Sequence, residues 1–93
     1  MVKIKLDFRN VKYFLEIHEI LKSTFEFSEY YGQNLSALWD CLYEFCPLDA
    51  KVEIYGIEYL NDKFDGYGEK IKQIFDDLLK EEGSENIKFV IHS

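Results

Sequence analysis

The stretch that most limits how this chain can fold runs from Tyr30 to Phe45, YYGQNLSALWDCLYEF. Two tyrosines and Gly32 form a tight aromatic turn that feeds straight into a helical periodicity. Glycine tolerates positive φ and close backbone approach, so Gly32 is expected to serve one of those needs. Asn34 is a good N-cap, because its side-chain oxygen can accept a backbone N–H left unpaired in the first turn.

Winding residues 35–45 at 3.6 per turn sorts them by chemistry. Leu35, Leu38, Leu42 and Phe45 fall on one stripe, with Cys41 and Trp39 at its borders. Ser36, Asp40 and Glu44 line the opposite face, with Tyr43 beside them. Asp is a poor residue in a helix interior. Asp40 and Glu44 also form a like-charge i,i+4 pair, which costs about 0.2–0.5 kcal/mol in isolation. This face is a poor local choice unless something basic meets it, although solvated acidic faces are common.

The run Glu29–Leu42, EYYGQNLSALWDCL, resembles the signature of the barstar family of ribonuclease inhibitors. Length, acidity and order of elements are similar along essentially the whole chain, while the specific match lies in this stretch. The resemblance implies a three-stranded parallel sheet packed against helices, an α/β fold, and a partner protein bound by the second helix.

Ninety-three residues make one domain, 1–93, near the lower end of independent folding. An apolar fraction of 47%, with 17% aromatic, suffices for a core and excludes a disordered chain. The net charge of −7 argues against direct binding of nucleic acid and favours a basic partner or simple solubility. No signal peptide or membrane span is expected, since Val2–Leu6 alternates and no run approaches ~20 apolar residues. Cys41 and Cys46 lack a surrounding ligand cluster, so no metal and no cofactor are expected. Reduced thiols in a cytoplasmic protein, monomeric when free, complete the expectation.

In order, Val2–Leu6 alternates as a first strand. Asn10 is then expected to cap a helix over 11–25, with Val11, Phe14, Leu15, His18, Leu21 and Phe25 as its apolar stripe. His18, near the centre of that stripe, reads as a half-buried, hydrogen-bonded histidine rather than a catalytic one. Cys46-Pro47 ends the helix at 34–45, with either peptide isomer open. Lys51–Tyr55 alternates as a second strand, and Ile57–Lys63 is a short helix or irregular turn. Asp65–Gly68 is turn chemistry and lacks the spacing of a dinucleotide site. A helix over 67–82 follows, with Ile71, Ile74, Phe75, Leu78 and Leu79 inward and Gly83 as its stop. Ile87–Ile91 is the last strand. Strands separated by helices imply parallel pairing.

An enzyme could pair Asp40 with Glu44, or Asp76 with Asp77, as acid and base. The sequence offers neither a nucleophile–base pair nor a phosphate loop, so no catalysis is expected. Binding makes better use of these residues. A ribonuclease active site is a basic cleft that holds phosphates, and carboxylates flanked by aromatics can fill it and displace water. Asp40, Glu44, Tyr43, Tyr30, Tyr31 and the backbone at Gly32 are candidates for such contacts. The resemblance places Tyr30, Gly32, Asn34, Trp39 and Asp40 at interface positions, with Asp40 as phosphate mimic and Asp77 as a supporting acid. The helical wheel alone does not prefer Asp77 over Asp76, and Trp39 at its border position suits either core or interface. Ser36 and Gln33 stand where the family often carries an acid, and Phe45 where a Trp is common. Two functions remain open: a cytoplasmic ribonuclease inhibitor, or an interaction module of the same fold for another basic protein.

Overall fold

Each alternating run becomes a strand, and each 3.6-residue periodicity between them becomes a helix. The computed structural model describes residues 1–92. Its elements are β1 (Val2–Asp7), α1 (Leu15–Phe25), α2 (Leu35–Phe45), β2 (Asp49–Tyr55), α3 (Ile57–Lys63), α4 (Tyr67–Leu78) and β3 (Asn86–His92). The three strands lie in the order β1-β2-β3, both pairs parallel, as the separation of strands by helices requires. This is the expected three-stranded parallel α/β fold. Central β2 sets the register, with Ile4 beside Val52 and Val52 beside Phe89.

Ile4, Leu6, Ala50, Val52, Ile54 and Ile87 are buried, and α1, α2 and α4 add Ile17, Leu21, Leu38, Leu42, Ile71 and Phe75 to the same core. The alternate strand residues stay more open, because successive side chains of a strand point to opposite faces.

The structure corrects several boundaries. Helix α1 starts at Leu15, and Asn10 does not cap it. Glu16 reaches back instead, its Oε1 accepting the backbone N–H groups of Lys12 (2.8 Å) and Tyr13 (3.0 Å). That carboxylate satisfies the donors ahead of the helix, so the chain from Phe8 to Phe14 need not be helical. Ile17, His18, Leu21 and Phe25 face the core, whereas Phe14 and Leu15 are exposed. Helix α4 stops at Leu78, short of residue 82, and Leu79 is exposed. Buried Ser84 donates its hydroxyl to the carbonyls of Leu79 (3.0 Å) and Glu81 (2.6 Å), which holds the chain in tight turns. Gly83 takes φ +88° within those turns. Ile57–Lys63 is a true helix, the Cys46-Pro47 bond is trans, and Phe45 is exposed in the last turn of α2.

His18 is fully buried rather than half-buried. Its Nδ1 meets the Tyr31 hydroxyl and its Nε2 the Tyr67 hydroxyl, each at 2.6 Å. Burial holds the imidazole below its usual pKa. A neutral ring donates through one nitrogen and accepts through the other, so both positions are satisfied without charge. The ring ties α1 to the turn before α2 and to the first residue of α4.

Candidate functional site

The turn before α2 is built by its own polar groups. Asn34 Oδ1 accepts the N–H of Ala37 at 2.8 Å, and Asn34 Nδ2 donates to the Gly32 carbonyl at 3.1 Å. One side chain thus caps the helix and closes the loop ahead of it. Positive φ falls on Gln33 (+51°), not on Gly32. Gly32 sits close to α2: a Cβ there would lie 3.3 Å from the Ala37 side chain, which would have to give by a few tenths of an ångström, and in ordinary contact, 3.4 Å, with Asn34 Nδ2.

The two tyrosines separate. Tyr30 is 94% exposed. Tyr31 is buried against Phe27 and His18, so its side chain belongs to the core and not to an open contact surface. Burial raises its phenol pKa. The cause is the apolar Phe25–Phe27–Tyr31 packing, in which Tyr31 is the only member with a hydroxyl and His18 its acceptor or donor.

Helix α2 buries Leu38 and Leu42 and presents Ser36, Asp40, Tyr43 and Glu44 to solvent. Trp39 is half-buried, packed against the core on one side and 6.0 Å from the Tyr43 ring on the other. Its border position thus leaves part of the ring on the core and part open to solvent. Two open grooves meet at Trp39 and Asp40. One, of about 680 Å³, is lined by Trp39, Asp40, Tyr43, Glu44 and Glu81. The other, of about 410 Å³, is lined by Leu35, Ser36, Trp39, Asp40, Ile74 and Asp77. Asp40 thus stands on the ridge between two depressions.

The packing of α4 against α2 brings Asp77 into the second groove and leaves exposed Asp76 out of both. Asp77 is oriented by Gln73 Nε2 at 2.9 Å and by Lys80 Nζ at 3.6 Å. Glu81 was not singled out by sequence. It sits four residues after Asp77, and the turn held by Ser84 carries it to the groove edge. That i,i+4 spacing was a usable signal.

No Lys, Arg or His occurs between Lys22 and Lys51, an interval that holds Glu26, Glu29, Asp40, Glu44 and Asp49. Asp40, Glu44 and Glu81 have no ion-pair partner among the described residues. Cys41, between the two α2 acids, senses their field: burial first, then Asp40 and Glu44, push its thiol pKa up. Cys46, in the core, is pushed up to about 11 by burial. Neither thiol is activated, and among the described residues no group of three or more His, Cys, Asp or Glu side chains is arranged to hold a metal ion. No helix is long and apolar enough to cross a membrane. The arrangement offers an acidic, unpaired face to a cationic surface.

The sequence matches the family described as "Barstar (barnase inhibitor)" over residues 1–93. It is also 31% identical over 91 residues to a protein of Bacillus subtilis (strain 168) named "Putative ribonuclease inhibitor YrdF", covering 98% of this chain and 99% of the relative. Fold and whole-length similarity agree, and the chain belongs to the barstar family.

Proposed function

We propose that this protein is a non-enzymatic, intracellular inhibitor that binds a ribonuclease as a free monomer and plugs its basic active-site cleft. Asp40 carries the reading. It is an exposed carboxylate without an ion-pair partner, on the ridge between two grooves, flanked by Trp39 and Tyr43. In a phosphate-binding cleft Asp40 takes the place of a phosphate, with Glu44, Glu81 and the positioned Asp77 meeting neighbouring cations. Tyr30, Gly32, Asn34 and Ser36 contact the rim, while Tyr31 supports the loop from beneath. Exposed tyrosine and half-buried tryptophan around a desolvated charge are the usual composition of an interface hot spot. The name of the Bacillus subtilis relative supports the ribonuclease assignment.

The test adds purified protein to a panel of basic ribonucleases, following RNA cleavage and complex formation together. The expected result is stoichiometric loss of cleavage with at least one enzyme. Complex formation without loss of cleavage would favour an interaction module of the same fold. Ser36 and Gln33, uncharged on the binding side, are the residues that give that alternative weight.

A further inference from the structure

The face of the sheet turned away from the core has its own charge pattern. Parallel register places Lys3, Lys51 and Lys88 side by side, one on each strand. The next rank is Lys5, Glu53 and Val90, and the next Asp7, Tyr55 and His92. The acids here are largely engaged. Asp7 is held in a two-point contact by Arg9 (2.9 and 2.8 Å), Glu53 lies between Lys51 (3.8 Å) and His92 (3.4 Å), and Asp49 meets the Met1 amino group (3.7 Å). Lys3, Lys5 and Lys88 are exposed and have no carboxylate partner among the described residues.

Neighbouring strands lie about 4.8 Å apart, so three ammonium groups directly across from one another repel. Lysines on edge strands can discourage edge-to-edge pairing, which accounts for Lys3 and Lys88. It does not account for Lys51 on the central strand. Beside this rank Tyr55 forms a second feature, stacked on His92 (4.3 Å, 5° between planes) with Arg9 and Lys5 over its ring at 4.7 and 5.1 Å. A cationic rank next to this stack matches the contacts single-stranded RNA makes, phosphates on lysine and bases on the outward planes of the His92 ring and the Arg9 guanidinium, both of which Tyr55 holds in place.

We infer that the open sheet face binds single-stranded RNA without sequence preference. The net charge of −7 weighs against nucleic acid for the chain as a whole, and the inference is confined to this face, where the acids are largely engaged. Screening acts over about 8 Å at physiological salt, the molecule measures 34 × 30 × 20 Å, and the acid groove lies in the helical layer. The inference does not rest on inhibition of a ribonuclease, and the RNA surface stays open when the α2 face is occupied.

The experiment is fluorescence anisotropy with a labelled twelve-nucleotide oligouridylate, roughly the span of a single-strand binding groove, against the whole protein across a salt series. Saturable binding that weakens with salt is expected. K3Q/K51Q/K88Q should lose about tenfold or more in affinity and lower the slope of log Kd against log salt by about 2, near 0.7 per phosphate contact. The charge-matched K63Q/K70Q/K72Q should bind as the unaltered protein does. Melting of both triple variants separates lost binding from lost folding, and the first should melt close to the unaltered protein, since relief of its repulsion offsets loss of the partly exposed Lys51–Glu53 pair. Tyr55→Leu should weaken RNA binding but not binding of dextran sulfate, which has no bases. No saturable binding at low salt, equal affinity for both triple variants, or equal binding of a poly-glutamate of matched length would overturn the inference, the last by marking an acidic-protein surface.

Discussion

His18 and Tyr31 lie thirteen residues apart and are joined in the core by a 2.6 Å contact between Nδ1 and the phenolic oxygen. Through it the loop that shapes the candidate binding face is fastened to α1, and through Tyr67, 2.6 Å from Nε2, to α4. The exposed Tyr30 is displayed by a loop whose neighbouring residue is anchored.

That anchor should respond to acid. The folded-state pKa of His18 lies below its unfolded value of about 6.5, so the unfolded chain takes up a proton first. Its contribution to stability is therefore complete above that value and lost as pH falls toward the folded pKa. The melting temperature should fall between pH 7 and 5, where most carboxylates remain ionised, and His18→Gln should flatten that slope. An unchanged slope in the variant would assign the effect to other groups.

Asn34→Ala removes the oxygen that accepts the Ala37 N–H and the amide that closes the loop on Gly32. A loss of about 1 kcal/mol in chemical denaturation is expected from the cap alone. Binding should weaken as well, because the loop carrying Tyr30 loses its closure. Asn34→Asp should recover most of the stability, as it keeps the accepting oxygen.

Asp40→Ala should separate binding from folding. It relieves the repulsion with Glu44 and raises helix propensity, each by a few tenths of a kcal/mol. The melting temperature should hold or rise slightly. Affinity for the ribonuclease should fall at least about thirtyfold, about 2 kcal/mol, because cations in the cleft lose their partner. Losses of that size are those of close charge pairs in the complex of the family's namesake with its ribonuclease. Glu19→Ala, an exposed acid without a side-chain partner on α1, is the control for net charge. Equal affinity of the two variants would remove Asp40 from the interface.

Glu81→Ala tests the acid that the turn after α4 brings to the groove. It should lower affinity less than Asp40→Ala and slow association more than it speeds dissociation, since a rim charge acts by steering. For the unaltered protein, stopped-flow association should slow markedly as salt rises. Rates that stay flat with salt would argue against the electrostatic part of the reading.

Gly68→Ala addresses how α4 is seated. A Cβ at this buried position would press into the Ile57 carbonyl oxygen and, at 2.8 Å, the Asn61 Oδ1. The backbone carbonyl cannot swing aside, so α3 and α4 must part, at a cost of about 1–3 kcal/mol. Gly66→Ala, with open space around it but φ +84°, should cost less. A melting order opposite to this would mean that strain, not packing, governs the α3–α4 junction.

Local chemistry written in consecutive residues could be read from the sequence. Asn34 caps the helix it was expected to cap, because its oxygen acts within three residues of itself. Alternation in β1 and β2, the apolar run of β3 and the i,i+4 periodicity of α2 and α4 likewise follow from single-residue preferences repeated at fixed spacing. Boundaries and junctions required the tertiary structure. Glu16 moved the start of α1, and Ser84 the end of α4, through side-chain bonds that a periodicity does not encode. Tyr30 and Tyr31 look equivalent as neighbours, yet only packing against His18 decides which one is buried. The helical wheel likewise did not separate Asp77, which the family resemblance named, from Asp76, and the packing of α4 on α2 is what puts Asp77 in a groove with Asp40. The same holds for charge. A sum of −7 has no direction, and only the register of three strands puts Lys3, Lys51 and Lys88 in one rank, away from the acids of α2.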